Sequence, residues 1–176
     1  MDAIEDLIAL MKQRGTAQYG REAVSQTDHA LQCAMLAEME EADAPLIAAA
    51  LLHDVGHLLA KPHGDDINDK HESIGWGFLR IHFGPAVSEP VRLHVEAKRY
   101  LCAVDSDYFG ILSPASVRSL ELQGGWHSPA EALAFEKTEY NEDAVRLRRW
   151  DDRAKTPGAK TKSIDGYAEL LRDLCR

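Results

Sequence analysis

Hydrophobic positions recur with a helical period along almost the whole chain, and no segment shows the alternation of a half-buried strand. Ile4, Leu7, Ile8 and Met11 lie on one face of a first helix, which we expect to end at Gly15. The pattern therefore predicts an all-α fold.

Four more helices are predicted before residue 105. They run from about Gln26 to Glu41, from Pro45 through AAALLHDVGHLL, from near His71 to before Gly84, and from about Ser88 to Val104. The segment Lys61–Lys70 contains Pro62 and Gly64 and ends in polar residues, so we predict a loop there.

The C-terminal half carries clear helix start and stop signals. Ser113-Pro114 and Ser128-Pro129 each place an N-cap before a proline, and Gly124-Gly125 separates the two helices. A later helix leads into Asp151, residues 156–162 form a basic loop, and a last helix follows Ser163. Because we find no repeats and no long linker, we expect a single helical-bundle domain over residues 1–176.

Composition and charge limit the kinds of binding partner and the cellular location that we expect. The 176 residues carry a formal net charge of −9, which disfavours nucleic acid as the main partner because phosphate neutralisation needs a basic surface. No window approaches the ~20 apolar residues that span a bilayer, and the acidic start is unlike a signal peptide. We therefore expect a cytoplasmic protein with no membrane partner. The scattered Cys33, Cys102 and Cys175 are typical of reduced, structural cysteines.

The dipeptide His53-Asp54 is the first candidate for a catalytic or metal-binding role. It lies in an otherwise apolar stretch, AAALLHDVGHLL, where an unpaired carboxylate would be costly to bury. Either the two side chains pair with each other or they bind a metal ion. For an isolated dipeptide, the internal pair would be the better interpretation.

Four other residues make the metal interpretation the stronger one. His29, His71, His94 and Asp151 each fall on a different predicted helix or helix start, which gives the order H…HD…H…H…D. Such an order is much less expected by chance than any one of these residues. Imidazole and carboxylate ligands suit iron, zinc or manganese.

This order resembles the HD-domain superfamily, whose minimal pattern is met by His29, His53, Asp54 and Asp151. The resemblance implies that these four residues bind one metal ion. It further implies that His71 and His94 bind a second ion. Asp54 would then bridge the two ions with one oxygen on each.

Longer stretches resemble the phosphonate-cleaving branch of HD-domain diiron oxygenases, over roughly residues 17–155. They are QYGREA, HALQCA, AALLHDVGH, HVEAKRYL, LSPAS, LELQGG and RRWDDRAK. Myo-inositol oxygenase is a more distant relative with the same metal arrangement. The resemblance implies a mixed-valent Fe(II)/Fe(III) pair that uses O2 to cleave the C–P bond of a small organophosphonate. The expected substrate is 1-hydroxy-2-aminoethylphosphonate or its N-trimethyl analogue, with phosphate and glycine or glycine betaine as products.

The same resemblance assigns roles to residues around the metals. His57 and Lys98, each four residues after a predicted ligand, are expected to contact the phosphonate. Ser116 and Gln123 match positions near the substrate. From the residues alone, His57 has an alternative role in hydrogen bonding to a ligand, and Lys98 one as a solvated helix lysine. For Ser116 and Gln123, a place on the helix surface is about equally supported.

The predicted site also includes Tyr19 and Glu22, which precede the first histidine of the pattern. The resemblance implies that Tyr19 occupies the open iron position until substrate arrives and that Glu22 helps to recognise the substrate ammonium. Taken alone, both would be ordinary surface residues. His63, His82 and His127 fall outside the pattern, and we expect them at the surface.

Other functions use part of the same ligand set. An HD phosphohydrolase acting on a nucleotide or phosphate ester would need the minimal four ligands and a metal-bound water. It would leave His71 and His94 unexplained, and many such enzymes have lysine where this chain has His57. A non-catalytic ligand-sensing module would be expected to lack some ligands. Neither the substituents on the substrate nitrogen nor the oligomeric state follows from the sequence.

Overall fold

A computed structural model of the chain describes residues 3–19, 22–60, 68 and 70–176. Within these residues the regular structure is helical, apart from two isolated β-bridges, Gln18–Ser25 and Phe83–Cys175. The α-helices are α1 Ala3–Arg14, α2 Gln26–Met39, α3 Ala44–Leu52, α4 Val55–Leu59, α5 His71–His82, α6 Pro85–Val104, α7 Tyr108–Ile111, α8 Pro114–Leu122, α9 Pro129–Glu136, α10 Asn141–Arg153 and α11 Ala168–Leu174. A 3-10 helix, Ile164–Tyr167, precedes α11. The predicted all-α fold is confirmed.

Helix boundaries follow the capping residues. Ser25, Asp43, Ser113 and Ser128 each accept a hydrogen bond from the backbone N–H three residues later, and Ser128 forms the predicted capping box with Glu131. Helix α6 begins at Pro85, three residues before the predicted start, because proline at the first helical position already has a helical φ. The four-residue helix α7 was not predicted, since it is too short to show a period.

The segment around His53-Asp54 differs from the prediction of one continuous helix. Helix α3 ends at Leu52, α4 begins at Val55, and Asp54 has a non-helical backbone (φ −101°, ψ 10°). Neighbouring side chains of a continuous helix point about 100° apart. The break instead brings His53 Nε2 within 3.3 Å of Asp54 Oδ2. The sequence did not reveal this break, because the stretch is apolar on every face and has no pattern of polar positions that could be interrupted.

The hydrophobic core surrounds α6, which contacts α3, α5, α9 and α10. Helix α1 buries Ile4, Leu7, Ile8 and Met11, as predicted, and docks on α4 and α11. Among the described residues, no helix is both long enough and apolar enough to cross a membrane.

Four predictions stay open. Most of the predicted loop Lys61–Lys70 lies outside the described residues, and so does His63, which was expected at the surface. The single-domain division and the cytoplasmic location are likewise untested.

Candidate metal centre

The six predicted ligands converge although they come from four helices and from the break between two others. His29 lies in the first turns of α2, His53 and Asp54 lie at the break between α3 and α4, and His71 opens α5. His94 and Asp151 come from α6 and α10. All six residues are buried, with at most 8% of their surface exposed.

The four histidines form two pairs that meet through their Nε2 atoms. These atoms are 3.2 Å apart in His29 and His53, and 3.1 Å apart in His71 and His94. Two nitrogens that bind one ion at about 2.1 Å in neighbouring coordination positions lie roughly 3.0 Å apart. Both pairs therefore have the spacing expected of shared metal ligands.

Backbone carbonyls orient three of these imidazoles. His29 Nδ1 lies 2.9 Å from the carbonyl oxygen of Ala154, His53 Nδ1 lies 2.8 Å from that of Ala50, and His94 Nδ1 lies 2.7 Å from that of Val91. A carbonyl can only accept, so each Nδ1 must donate its proton. In the neutral ring, the Nε2 lone pair then faces the centre. Two such lone pairs repel each other unless a proton or a metal ion lies between them.

Asp54 lies between the two histidine pairs. Its Oδ2 is 3.3 Å from His53 Nε2 and 3.7 Å from His29 Nε2. Its Oδ1 is 3.4 Å from His71 Nε2 and 3.7 Å from His94 Nε2. Each oxygen of one carboxylate therefore faces a different pair, which is the arrangement that a bridging ligand requires.

Asp151 completes the side of the centre formed by His29 and His53. Its Oδ1 is 3.3 Å from His29 Nε2, and its Oδ2 accepts an ion-pair contact from Arg148 Nη1 at 2.6 Å. Arg148 is itself buried and also pairs with Asp152. We had not predicted Arg148, although its spacing of three and four residues from two aspartates was a readable signal.

Buried oxygen atoms without partners indicate that this centre needs a cation. Both carboxylate oxygens of Asp54 and the Oδ1 of Asp151 lack a hydrogen-bond partner among the described residues. Burial alone would raise the pKa of Asp54, but the neighbouring histidines hold it well below its ordinary value. Burial lowers the pKa of His53, yet the charge of Asp54 raises it to about 9. The donor set fits metal ions that accept nitrogen and oxygen ligands.

Cys33 lies closer to the centre than its lack of any predicted role suggested. Its Sγ is 3.8 Å from His29 Nε2, and its ligand atom lies within 4.8 Å of those of His29 and His53. Burial and the charges of Asp151 and Asp54 raise the pKa of this thiol well above its usual value. Cys33 is therefore a neighbour of the histidine pair formed by His29 and His53. All three cysteines are free.

Tyr19 and His57 lie beside opposite histidine pairs. The Tyr19 ring stacks on His29 with centroids 4.0 Å apart, and the His57 ring stacks on His71 at the same distance. The two rings approach each other edge to face at 6.5 Å. His57 Nε2 is 3.9 Å from Asp54 Oδ1. Burial and the charges of Asp54 and Asp151 raise the pKa of the Tyr19 phenol.

Lys98, one turn of α6 after His94, is a buried lysine whose charge interacts with that of Asp151. Its side chain is almost fully buried, and its Nζ donates to Ser119 Oγ at 2.7 Å. Burial, followed by the charge of Arg148, lowers the pKa of Lys98 to about 7. Ser119 was not predicted, although it follows Ser116 by one turn of α8. The alternative role of Lys98 as a solvated helix lysine is excluded by its burial.

Glu22 is joined to the site through Lys155, another residue that was not predicted. The Lys155 Nζ lies 3.0 Å from Glu22 Oε1 and 3.3 Å from the hydroxyl oxygen of the buried Ser116. Arg148 Nη2 also lies 3.5 Å from that hydroxyl oxygen. Glu22 and Ser116 are therefore in one polar network with Asp151.

Gln123 and His127 are two further residues with buried polar atoms. Gln123 follows α8, and its Oε1 is buried without a hydrogen-bond partner among the described residues. The expectation that His127 lies at the surface was wrong. It is buried, with its Nε2 2.7 Å from Glu96 Oε2, and this contact spans 31 residues and so leaves no local sequence pattern.

Comparison with known proteins identifies the family. Residues 27–159 match the HD domain family. The chain is 46% identical over 172 residues to a hydroxymethylphosphonate dioxygenase of Gimesia maris, covering 94% of this chain and 85% of that protein. It is 35% identical over 174 residues to a [1-hydroxy-2-(trimethylamino)ethyl]phosphonate dioxygenase (glycine-betaine-forming) of Leisingera caerulea, covering 96% and 88%.

A third relative has no described activity. This uncharacterised protein of Acanthamoeba polyphaga mimivirus is 32% identical over 175 residues, covering 96% of this chain and 80% of that protein. The two relatives with named activities are oxygenases, which favours the oxygenase prediction over the phosphohydrolase alternative. The chain therefore belongs to the HD-domain family, in its phosphonate oxygenase branch.

Proposed function

We propose that this enzyme uses O2 to cleave the C–P bond of a small 1-hydroxyphosphonate at a mixed-valent Fe(II)/Fe(III) centre. The reaction R–CH(OH)–PO3H2 + O2 → R–COOH + H3PO4 is balanced, with O2 as the oxidant. The candidate substrates are 1-hydroxy-2-aminoethylphosphonate, its N-trimethyl analogue and hydroxymethylphosphonate. They would yield glycine, glycine betaine and formate, respectively.

The position of Asp54 between two histidine pairs is the observation that carries this proposal. One ion would take His29, His53, Asp151 and one oxygen of Asp54, while the other would take His71, His94 and the second oxygen. A hydrolase that uses one ion has no need for the pair His71 and His94. When bound, two iron ions would supply Lewis acidity toward the hydroxyl and phosphonate oxygens and the electrons needed to activate O2.

Lys98 and His57 are the residues that we propose for the phosphonate. The Lys98 ammonium has three N–H donors, and Ser119 accepts one of them. Because the ammonium is almost fully buried, an anion that reaches it gains a strong charge-assisted hydrogen bond. His57 lies beside His71, with its Nε2 3.9 Å from Asp54 Oδ1, and could donate to a second phosphonate oxygen.

Tyr19 is proposed to cover the centre before substrate enters. Its ring lies flat on His29, where it would restrict access of water and O2 to bound metal ions. A chelating substrate would have to move this ring aside. The turn that carries Tyr19 also carries Glu22, whose backbone N–H donates to the Tyr19 carbonyl at 2.9 Å. A movement of Tyr19 would therefore also shift Glu22.

Oxygen dependence of phosphate release tests the proposed function. Iron-loaded protein is incubated with each of the three candidate substrates in air and under argon, and free phosphate is measured. We expect phosphate from at least one compound in air and none under argon, because each turnover consumes one O2. Asp54→Asn is expected to be inactive, while Asp165→Asn, which changes an exposed carboxylate paired with Lys12, retains activity. Equal release with and without O2 would indicate a phosphohydrolase and contradict the proposal.

A further inference from the structure

Glu22 and Lys155 form a largely buried ion pair that is connected to the candidate metal centre. The Lys155 Nζ lies 3.0 Å from Glu22 Oε1, and both side chains are about 15% exposed (14% and 15%). The same Nζ lies 3.2 Å from Ser113 Oγ and 3.3 Å from Ser116 Oγ. The three N–H donors of this ammonium therefore have three oxygen partners.

One carboxylate oxygen of Glu22 is held by the same group of side chains. Its Oε1 accepts hydrogen bonds from the Ser113 hydroxyl and from Lys155. Burial raises the pKa of this carboxyl, but Ser113 and Lys155 together bring it below the ordinary value. An internal cation thus already neutralises the carboxylate. A substrate ammonium that approached Glu22 would have to compete with Lys155 and would meet its positive charge.

The pair is connected to the candidate metal centre through both of its members. On one side, Glu22 belongs to the turn of Tyr19, whose ring covers the ligand His29. On the other side, Lys155 follows the ligand Asp151 by four residues and shares Ser116 with Arg148. The named relatives differ at just this part of their substrates, because one substrate carries a trimethylamino group and the other ends at C1.

We propose that Lys155 determines substrate specificity. Its ammonium pairs with Glu22 and so takes the place that a cationic group of the substrate would otherwise occupy. The enzyme accordingly prefers a 1-hydroxyphosphonate without a cationic group at C2, of which hydroxymethylphosphonate is the simplest. This inference rests on the proposed function, and it adds the substrate class and the residue that sets it.

Two variants with the same charge change test the role of Lys155. Lys155→Met frees Glu22, whereas Lys162→Met removes an exposed lysine that pairs with Glu38 and serves as the control. Iron-loaded proteins are titrated calorimetrically under argon with hydroxymethylphosphonate and with 1-hydroxy-2-aminoethylphosphonate. Values of kcat/KM for phosphate release in air follow for both compounds and for the N-trimethyl analogue.

The wild type and Lys162→Met should both prefer hydroxymethylphosphonate. In Lys155→Met, the ratio of affinities should shift toward the amine by roughly tenfold or more, as expected when a charge-assisted hydrogen bond is gained. Adding Glu22→Gln to Lys155→Met should abolish that shift, and Lys155→Arg should keep the wild-type preference. A wild type that prefers either cationic compound would overturn the inference, even if Lys155→Met failed to fold. A folded Lys155→Met with an unchanged ratio would also overturn it.

Failure of the proposed function can be distinguished from failure of the specificity inference. If no compound yields phosphate in air, the proposed function fails and the specificity inference fails with it. If phosphate is released but the ratio of kcat/KM values does not depend on Lys155, the enzyme assignment stands and the inference alone is rejected.

Discussion

Arg148→Met removes a buried cation from between two buried carboxylates. Arg148 pairs with Asp151 at 2.6 Å and with Asp152, and the side chains of these aspartates are 2% and 4% exposed. Methionine retains much of the apolar volume, so the main effect is the loss of charge and hydrogen bonds, including the one to Tyr108 at 3.1 Å. Breaking a buried ion pair by removing one partner typically costs about 3–5 kcal/mol.

This loss is a large part of the ~5–15 kcal/mol that stabilises a typical domain. With a urea slope of roughly 2 kcal/mol per molar, the unfolding midpoint should fall by about 1.5–2.5 M. Urea unfolding is followed by tryptophan fluorescence after treatment with a chelator, because a bound cation near Asp151 would mask part of the effect. The buried Trp150 makes the signal sensitive to unfolding of the core.

The neighbouring Arg149 provides a matched control. It pairs with Asp105, but their side chains are 46% and 34% exposed, so Arg149→Met should cost less than about 1 kcal/mol. If Arg148→Met is no less stable than Arg149→Met, the buried network does not hold Asp151 as described.

Three other predictions concern the anion site and the packing of the ligands. Lys98→Ala should keep its iron but lose about 1.5–3 kcal/mol in kcat/KM, or roughly 10- to 150-fold, and unchanged kinetics would exclude Lys98 from phosphonate binding. Because the Lys98 ammonium is charged below its pKa of about 7, kcat/KM should fall as pH rises through that value, and Lys98→Arg should move the fall to higher pH. Gly56→Ala should destabilise the protein by about 1–3 kcal/mol and weaken metal binding, because its Cβ would lie 1.9 Å from the His71 carbonyl oxygen; Gly77→Ala, with nothing within 4 Å, should do neither.

Local sequence signals predicted many of the helices and singled out the candidate ligands for physical reasons. An apolar face, an N-cap and a proline each act within a few residues, so α1, α8 and α9 could be predicted. The candidate ligands are polar residues in apolar or strongly patterned surroundings, and His53 and Asp54 stand out for that reason. Their roles as ligands remain predictions, but the fold brings all six together.

Features that depend on distant contacts could not be predicted from the sequence. Lys155 acquires its partner Glu22 across 133 residues, and His127 becomes buried through contacts with α6 and α9. Neither contact leaves a periodic pattern. The break at Asp54 was missed for a different reason, since a fully buried helix has no polar face whose phase could change there.

Iron content tests most directly the central claim that Asp54 joins two metal sites. Wild type and Asp54→Ala are loaded with iron anaerobically, desalted and assayed for iron per chain, and partly oxidised samples are examined by electron paramagnetic resonance. We predict two iron ions per wild-type chain and a half-integer-spin signal from the coupled Fe(II)/Fe(III) pair, because that pair has an odd number of d electrons. Asp54→Ala should lose both ions, since each loses an anionic ligand, and Asp165→Asn should keep both. One ion per wild-type chain, or full occupancy in Asp54→Ala, would contradict the account.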